Sequence, residues 1–281
     1  MPPATIAGCS EAALIGAGLV VLAAGAFAGR RGKWTLRAEP AFPAWPGSGA
    51  DVLFFLLAAI LGVLVAGIGI QAALPAAAVR VPTGQFLVGA VGFDGGLLGG
   101  IAIFNFAFLR LKPDGPRPAH SPLLTGALWF LAALPPTMLV MFGWSSLLQR
   151  FGIPIEDQAV ADMFLNLPNL GWKLAFGLFA CVLAPVAEEF VFRAGIFRYL
   201  RGRMARGPAV ALSALIFAAV HLVPDVHEGA AAFLPLACFA AALALAYEDT
   251  GRIGTPIVAH ALFNLNTLLY LSSGLGALKS G

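Results

Sequence analysis

Charge is what this chain has least of. Asp, Glu, Lys and Arg make up 11% of its 281 residues, against roughly 25% in a soluble domain. Apolar residues make up 59% and mean hydropathy is +0.87, which excludes an ordinary soluble globule. Cysteine is nearly absent too. Cys9, Cys181 and Cys238 are an odd set without metal or redox spacing, so no disulfide framework follows; Cys181 and Cys238 sit in apolar runs as small hydrophobes.

Other absences narrow the chemistry. There is no Gly-x-Gly-x-x-Gly after a strand and no phosphate loop, so no nucleotide cofactor is expected. His227-Glu228 is followed by Ala231 where a zincin needs its second His, and no Gly-x-Ser-x-Gly elbow occurs. A paired-aspartate site would need a second membrane Asp beside Asp94, and none is available. Ala26-Phe27-Ala28 mimics a signal cleavage site, but the leading segment carries Glu11 and no basic n-region. It reads as a retained first helix. A net charge of +3 gives no argument for a nucleic-acid partner.

What remains is apolar runs with short polar joints, which predicts an all-α polytopic bundle in a lipid bilayer. Eight spans are expected, at about 12–29, 52–74, 86–109, 123–148, 174–200, 208–222, 230–247 and 253–271. The sixth and eighth are short. Gly92, Gly96 and Gly100 repeat every four residues in the third, the spacing that lets helices approach closely. Asp94 in that span reads as a polar residue of a re-entrant or interfacial turn, with a second acidic site residue as the alternative. Pro135-Pro136 predicts a kink in the fourth, and 158–165 a short interfacial helix.

With the N-terminus outside, the inner joints hold Arg30, Arg31, Lys33, Arg37, Arg110, Lys112, Arg117, Arg193, Arg198, Arg201, Arg203, Arg206 and Arg252; only Arg80, Arg150, Lys173 and Lys279 fall outside. That asymmetry sets the expected orientation. One membrane domain over 1–281 is expected. Residues 1–169 supply spans one to four and a joint, and 170–271 a core richer in polar groups. Arg and Ala usage hints at a bacterial source, hence an inner-membrane location.

Three polar clusters interrupt that core: Glu188-Glu189-x-x-x-Arg193, Phe217-x-x-x-His221 and His260-x-x-x-Asn264. An ionisable residue in a membrane segment costs roughly 2.5–3.5 kcal/mol on insertion scales, so it needs a partner or a task. Glu189 and Arg193 share a helical face and can pair; Glu188 lies about 100° round the helix without a local partner. At 1.5 Å per residue, Glu188 and His221 lie roughly 20 Å from Arg201 and Arg206, and Asn264 roughly 18 Å from Arg252. His260 is one turn shallower. Groups from three helices thus reach similar depth.

A partly desolvated carboxylate suits general-base attack by water. His221 can hold that water or shuttle a proton to a leaving amine, and His260 with Asn264 can donate to a tetrahedral oxyanion. Glu188, His221 and His260 are also a zinc ligand set with an open position. Phe217 is expected to pack against the ring of His221.

The ordered trio resembles the motif set of the CAAX prenyl protease and bacteriocin-processing family of intramembrane endopeptidases, over about residues 170–271. The resemblance implies a multi-helix fold around a membrane-buried glutamate peptidase site, acting on a membrane-associated peptide or protein. It leaves the metal question open; the wide ligand spacing favours no cofactor, with a divalent metal such as zinc as the alternative. It implies Glu188 as base, His221 as its partner, His260 and Asn264 as oxyanion site, with Glu189 and Arg193 in support. Ala194 stands where many relatives have Gly. The competing readings are a non-catalytic scaffold or immunity protein of the same fold, and a proton-coupled transporter.

Overall fold

The computed structural model describes residues 3–30, 39–108, 110–115, 120–153, 159–222 and 226–273. Among them there is no strand. The helices are α1 (Pro3–Arg30), α2 (Gly49–Ala73), α3 (Pro82–Ala107), α4 (Pro122–Arg150), α5 (Ala159–Leu165), α6 (Leu170–Arg201), α7 (Arg206–Val220), α8 (Val226–Thr250) and α9 (Gly254–Ser272), with a single turn at Ala76–Val79 before α3. Six have stretches long and apolar enough to cross a membrane: Ser10–Ala28, Gly49–Ala73, Pro82–Ala107, Pro122–Arg150, Leu170–Arg201 and Gly229–Thr250. The 15-residue α7 and 19-residue α9 complete the set of eight expected runs. The protein is an integral, multi-pass membrane protein.

The lipid-facing side is apolar, as the hydropathy requires. Val65 is 69% exposed, Phe106 90% and Phe142 75%, surfaces that water would oppose and hydrocarbon accepts. The interior is filled by Phe55, Phe104, Phe197, Phe217, Phe239 and Leu243, all buried. α4 packs against α1, α8 and α9, while α6 contacts α2, α3, α7, α8 and α9. A central α6 therefore meets the polar clusters of α7 and α9.

The glycine repeat closes α2 onto α3. A Cβ on Gly96 would strike the Gly62 carbonyl oxygen, and one on Gly100 the Ala58 carbonyl oxygen. α4 runs through Pro135 and Pro136 as one continuous helix. Pro135 leaves Leu131 without its usual backbone donor, and Gly18 of α1 comes so close that a Cβ there would meet the Leu131 oxygen. Helix α5 matches the short helix expected in the long joint.

One end of the bundle is clamped by the 39–48 joint. Arg198 donates to the Pro43 and Ala44 carbonyls at 2.6 and 2.7 Å, and Phe42 stacks on Tyr247 with ring centroids 4.5 Å apart. Arg201 and Arg206 both reach Glu248, at 2.9 and 3.0 Å, and Arg252 pairs with Asp114 at 3.3 Å. The basic residues of the last joints thus gather at one end. Arg193 does not belong with them, for it is buried within the bundle. Arg31, Lys33, Arg37, Arg117 and Lys279 lie outside the described residues, as do the side chains of Cys9, Arg30, His227 and Glu228.

Candidate active site

Local backbone explains how α6 presents its acids. The turn Ala184–Glu189 lies between two wider, i→i+5 stretches, Phe179–Leu183 and Phe190–Phe197. Such widened turns often mark functional sites. Pro185 has no N–H to give, and it falls just after the first of them. The second carries Arg193.

Glu189 is fully buried and sits at the centre of the polar cluster. Its Oε1 accepts from Arg193 Nη1 at 3.0 Å and from His260 Nδ1 at 2.8 Å. Arg193, 1% exposed, also donates through Nη2 to the Ala240 carbonyl on α8 at 3.1 Å. Its guanidinium carbon lies 4.7 Å from the centre of the Phe217 ring. The expected Glu189–Arg193 pair forms, and it recruits His260 from α9.

Glu188 is placed differently. Its side chain keeps 15% exposure, and Oε2 stands 3.9 Å from His260 Nε2, beyond hydrogen-bond reach. Among the described residues Glu188 Oε2 has no hydrogen-bond partner. The sequence distinction between a tied and an untied glutamate is the arrangement seen.

The histidines have assignable tautomers because each Nδ1 faces an acceptor. His221 Nδ1 lies 2.8 Å from the Phe217 carbonyl oxygen. That oxygen can only accept, so Nδ1 carries the proton and Nε2 of the neutral ring has a free lone pair. His260 Nδ1 donates to the Glu189 carboxylate, leaving Nε2 towards Glu188. His260 Nε2 donates to an oxyanion only when the ring carries both protons.

Phe217 packs as expected and does more. Its ring meets His221 at 4.8 Å, His260 at 6.0 Å and Phe192 at 4.9 Å between centroids. It therefore joins the α6, α7 and α9 clusters. Asn264 donates through Nδ2 to the Ala180 carbonyl at 2.7 Å, which ties α9 to the widened turn of α6.

Two contributors were not read from the sequence, and a third was read there chiefly in another role. Phe239 packs edge-on to His260 at 5.9 Å, and Ala240 offers only a backbone oxygen, so α8 carried no polar signal to find. Asp94 had a signal, an acid in an apolar run, and its reading needs correction. It lies in no re-entrant or interfacial turn but within continuous α3, 8% exposed, on a stretch that packs against the α6 turn bearing Glu188.

Glu188, His221 and His260 form the alternative zinc set. Among the described residues no three His, Cys, Asp or Glu side chains gather closely enough to hold a metal ion, while both histidines give Nδ1 to protein acceptors, which leaves each Nε2 as the nitrogen a metal would take.

Residues 170–266 match the family model described as type II CAAX prenyl endopeptidase Rce1-like. That stretch runs from the start of α6 into α9 and contains Glu188, Glu189, Arg193, His221, His260 and Asn264. No curated protein and no solved structure matches the chain.

Proposed function

From the Rce1-like character of residues 170–266, we propose that the protein is an intramembrane endopeptidase that hydrolyses a peptide bond of a membrane-associated protein or peptide. Glu188 removes a proton from water as the oxygen adds to the scissile carbonyl carbon. His260 and Asn264 receive the oxyanion. His221, with its free Nε2, passes the proton to the departing amine. Glu189 and Arg193 are positioning residues, since they act by holding His260. The basic end around Arg201, Arg206 and Arg252 faces the cytoplasm of a bacterial cell with the N-terminus outside, and the site opens on that side.

One observation carries this reading. Glu189 binds both Arg193 and His260, leaving Glu188 beside His260 Nε2 at 3.9 Å with a partnerless oxygen. A purely structural ion pair has no use for a second, unsatisfied carboxylate at that price in desolvation.

The test is cleavage of a membrane-anchored peptide by purified protein in liposomes. Glu188→Ala, His221→Ala and His260→Ala should each lower turnover by about 10²-fold or more, and treatment with a strong chelator should leave the wild-type rate intact. Full turnover in all three variants would refute peptidase chemistry at this site. Chelator-sensitive turnover restored by zinc would replace the metal-free mechanism with one using metal-bound water.

A further inference from the structure

Asp94 is a buried acid that the proposed chemistry has not used. It projects from α3 on the side away from α2. Gly92 and Gly96, two residues before and after it, press against Gly67 and Gly62 of α2, so Asp94 points roughly half a turn away from that contact. The stretch Leu87–Gly95 that bears it packs against both Phe179–Leu183 and Ala184–Glu189 of α6.

Asp94 is 8% exposed, and it has no hydrogen-bond partner among the described residues. Buried carboxylates are otherwise hydrogen-bonded in native proteins. Glu188, on the α6 turn that this stretch packs against, also has an oxygen, Oε2, without a partner. The cations nearby are committed. Arg193 serves Glu189 and the Ala240 carbonyl, and His260 Nδ1 also serves Glu189. Two carboxylates without donors therefore sit on segments of α3 and α6 that pack together.

We propose that Asp94 and Glu188 together hold the attacking water, with Asp94 as a second catalytic carboxylate; this rests on the peptidase reading of the site. Water has two O–H donors, and one molecule can satisfy both acids at once. A water that gives both hydrogens to carboxylates presents its lone pairs to the substrate carbonyl, the orientation that addition requires. As the C–O bond forms, one O–H proton passes to Glu188 and the carbonyl π electrons move to oxygen. Asp94 keeps the other hydrogen bond and does not change protonation. When the C–N bond breaks, the amine nitrogen takes the proton from Glu188 by way of His221, giving a carboxylic acid and an amine.

The experiment compares Asp94→Ala and Asp94→Asn in the liposome cleavage assay, with Glu188→Gln alongside. Losing the water's second anchor should lower kcat about 10- to 100-fold, the scale of a misplaced reactant, with KM within about twofold. Asn keeps one acceptor oxygen and should recover turnover to within about tenfold of wild type. Melting in detergent should be unchanged or raised in both variants, because a buried acceptor without a donor is removed or neutralised. An Asp94→Ala protein within about twofold of wild type would overturn the proposal, as would Asn and Ala variants that are equally slow. Those outcomes leave the peptidase reading standing; it falls if Glu188→Gln, His221→Ala and His260→Ala all retain full turnover.

Discussion

The two adjacent glutamates can be separated by what each loses when its charge is removed. Glu189 Oε1 accepts two charge-assisted hydrogen bonds, from Arg193 Nη1 at 3.0 Å and His260 Nδ1 at 2.8 Å. The side chains involved are at most 7% exposed. Replacing Glu189 with Leu leaves the Arg193 guanidinium buried with only the Ala240 oxygen and the Phe217 ring for company. Two lost bonds at about 1.5–3 kcal/mol each agree with the about 3–5 kcal/mol expected for breaking one side of a buried pair. Glu188 loses no such bond, because its Oε2 has no partner and His260 stands at 3.9 Å. Glu188→Gln should therefore alter stability by less than about 0.5 kcal/mol while lowering turnover by about 10²–10⁴. Denaturant unfolding in detergent micelles, run beside the liposome cleavage assay, reads both quantities. The double variant Glu189→Leu/Arg193→Met should recover much of the lost stability, since an apolar pair replaces an orphaned charge. Equal destabilisation by the Glu188 and Glu189 variants would refute this division of labour, and so would a Glu189→Leu protein as stable as wild type.

Two further outcomes test the frame and the oxyanion side. Gly100→Val should cost about 1–3 kcal/mol or more by driving α3 off the Ala58 carbonyl of α2. Gly99→Ala, with open space around its added Cβ, should be neutral or gain up to about 1 kcal/mol of helix propensity; thermal melts of the pair decide it. Asn264→Leu removes the bond to the Ala180 carbonyl, worth about 0.6–1.7 kcal/mol between membrane helices, yet should lower kcat by about 10²–10³ if its remaining N–H meets the oxyanion. A kcat loss no larger than the stability loss predicts would confine Asn264 to tying α9 onto α6.

Hydropathy and spacing were enough to establish the helical runs, because a span must satisfy its own backbone within one segment and so writes itself locally. The sequence by itself also paired Glu189 with Arg193, a contact made within one helical turn. It singled out Glu188, His221, His260 and Asn264 because polar groups in an apolar run are costly wherever the run ends up. Only the tertiary structure decided what those groups touch. That His260 turns its Nδ1 to Glu189, that Asn264 binds Ala180, and that α8 answers Arg193 with the Ala240 backbone all depend on which helices neighbour α6. A backbone oxygen has no signature in the side-chain pattern. Asp94 shows the limit most clearly: its cost was visible in the sequence, but its direction was set by glycines locking the opposite face of α3 to α2. Packing between distant segments, not local spacing, set an isolated acid on a stretch that lies against the turn bearing Glu188.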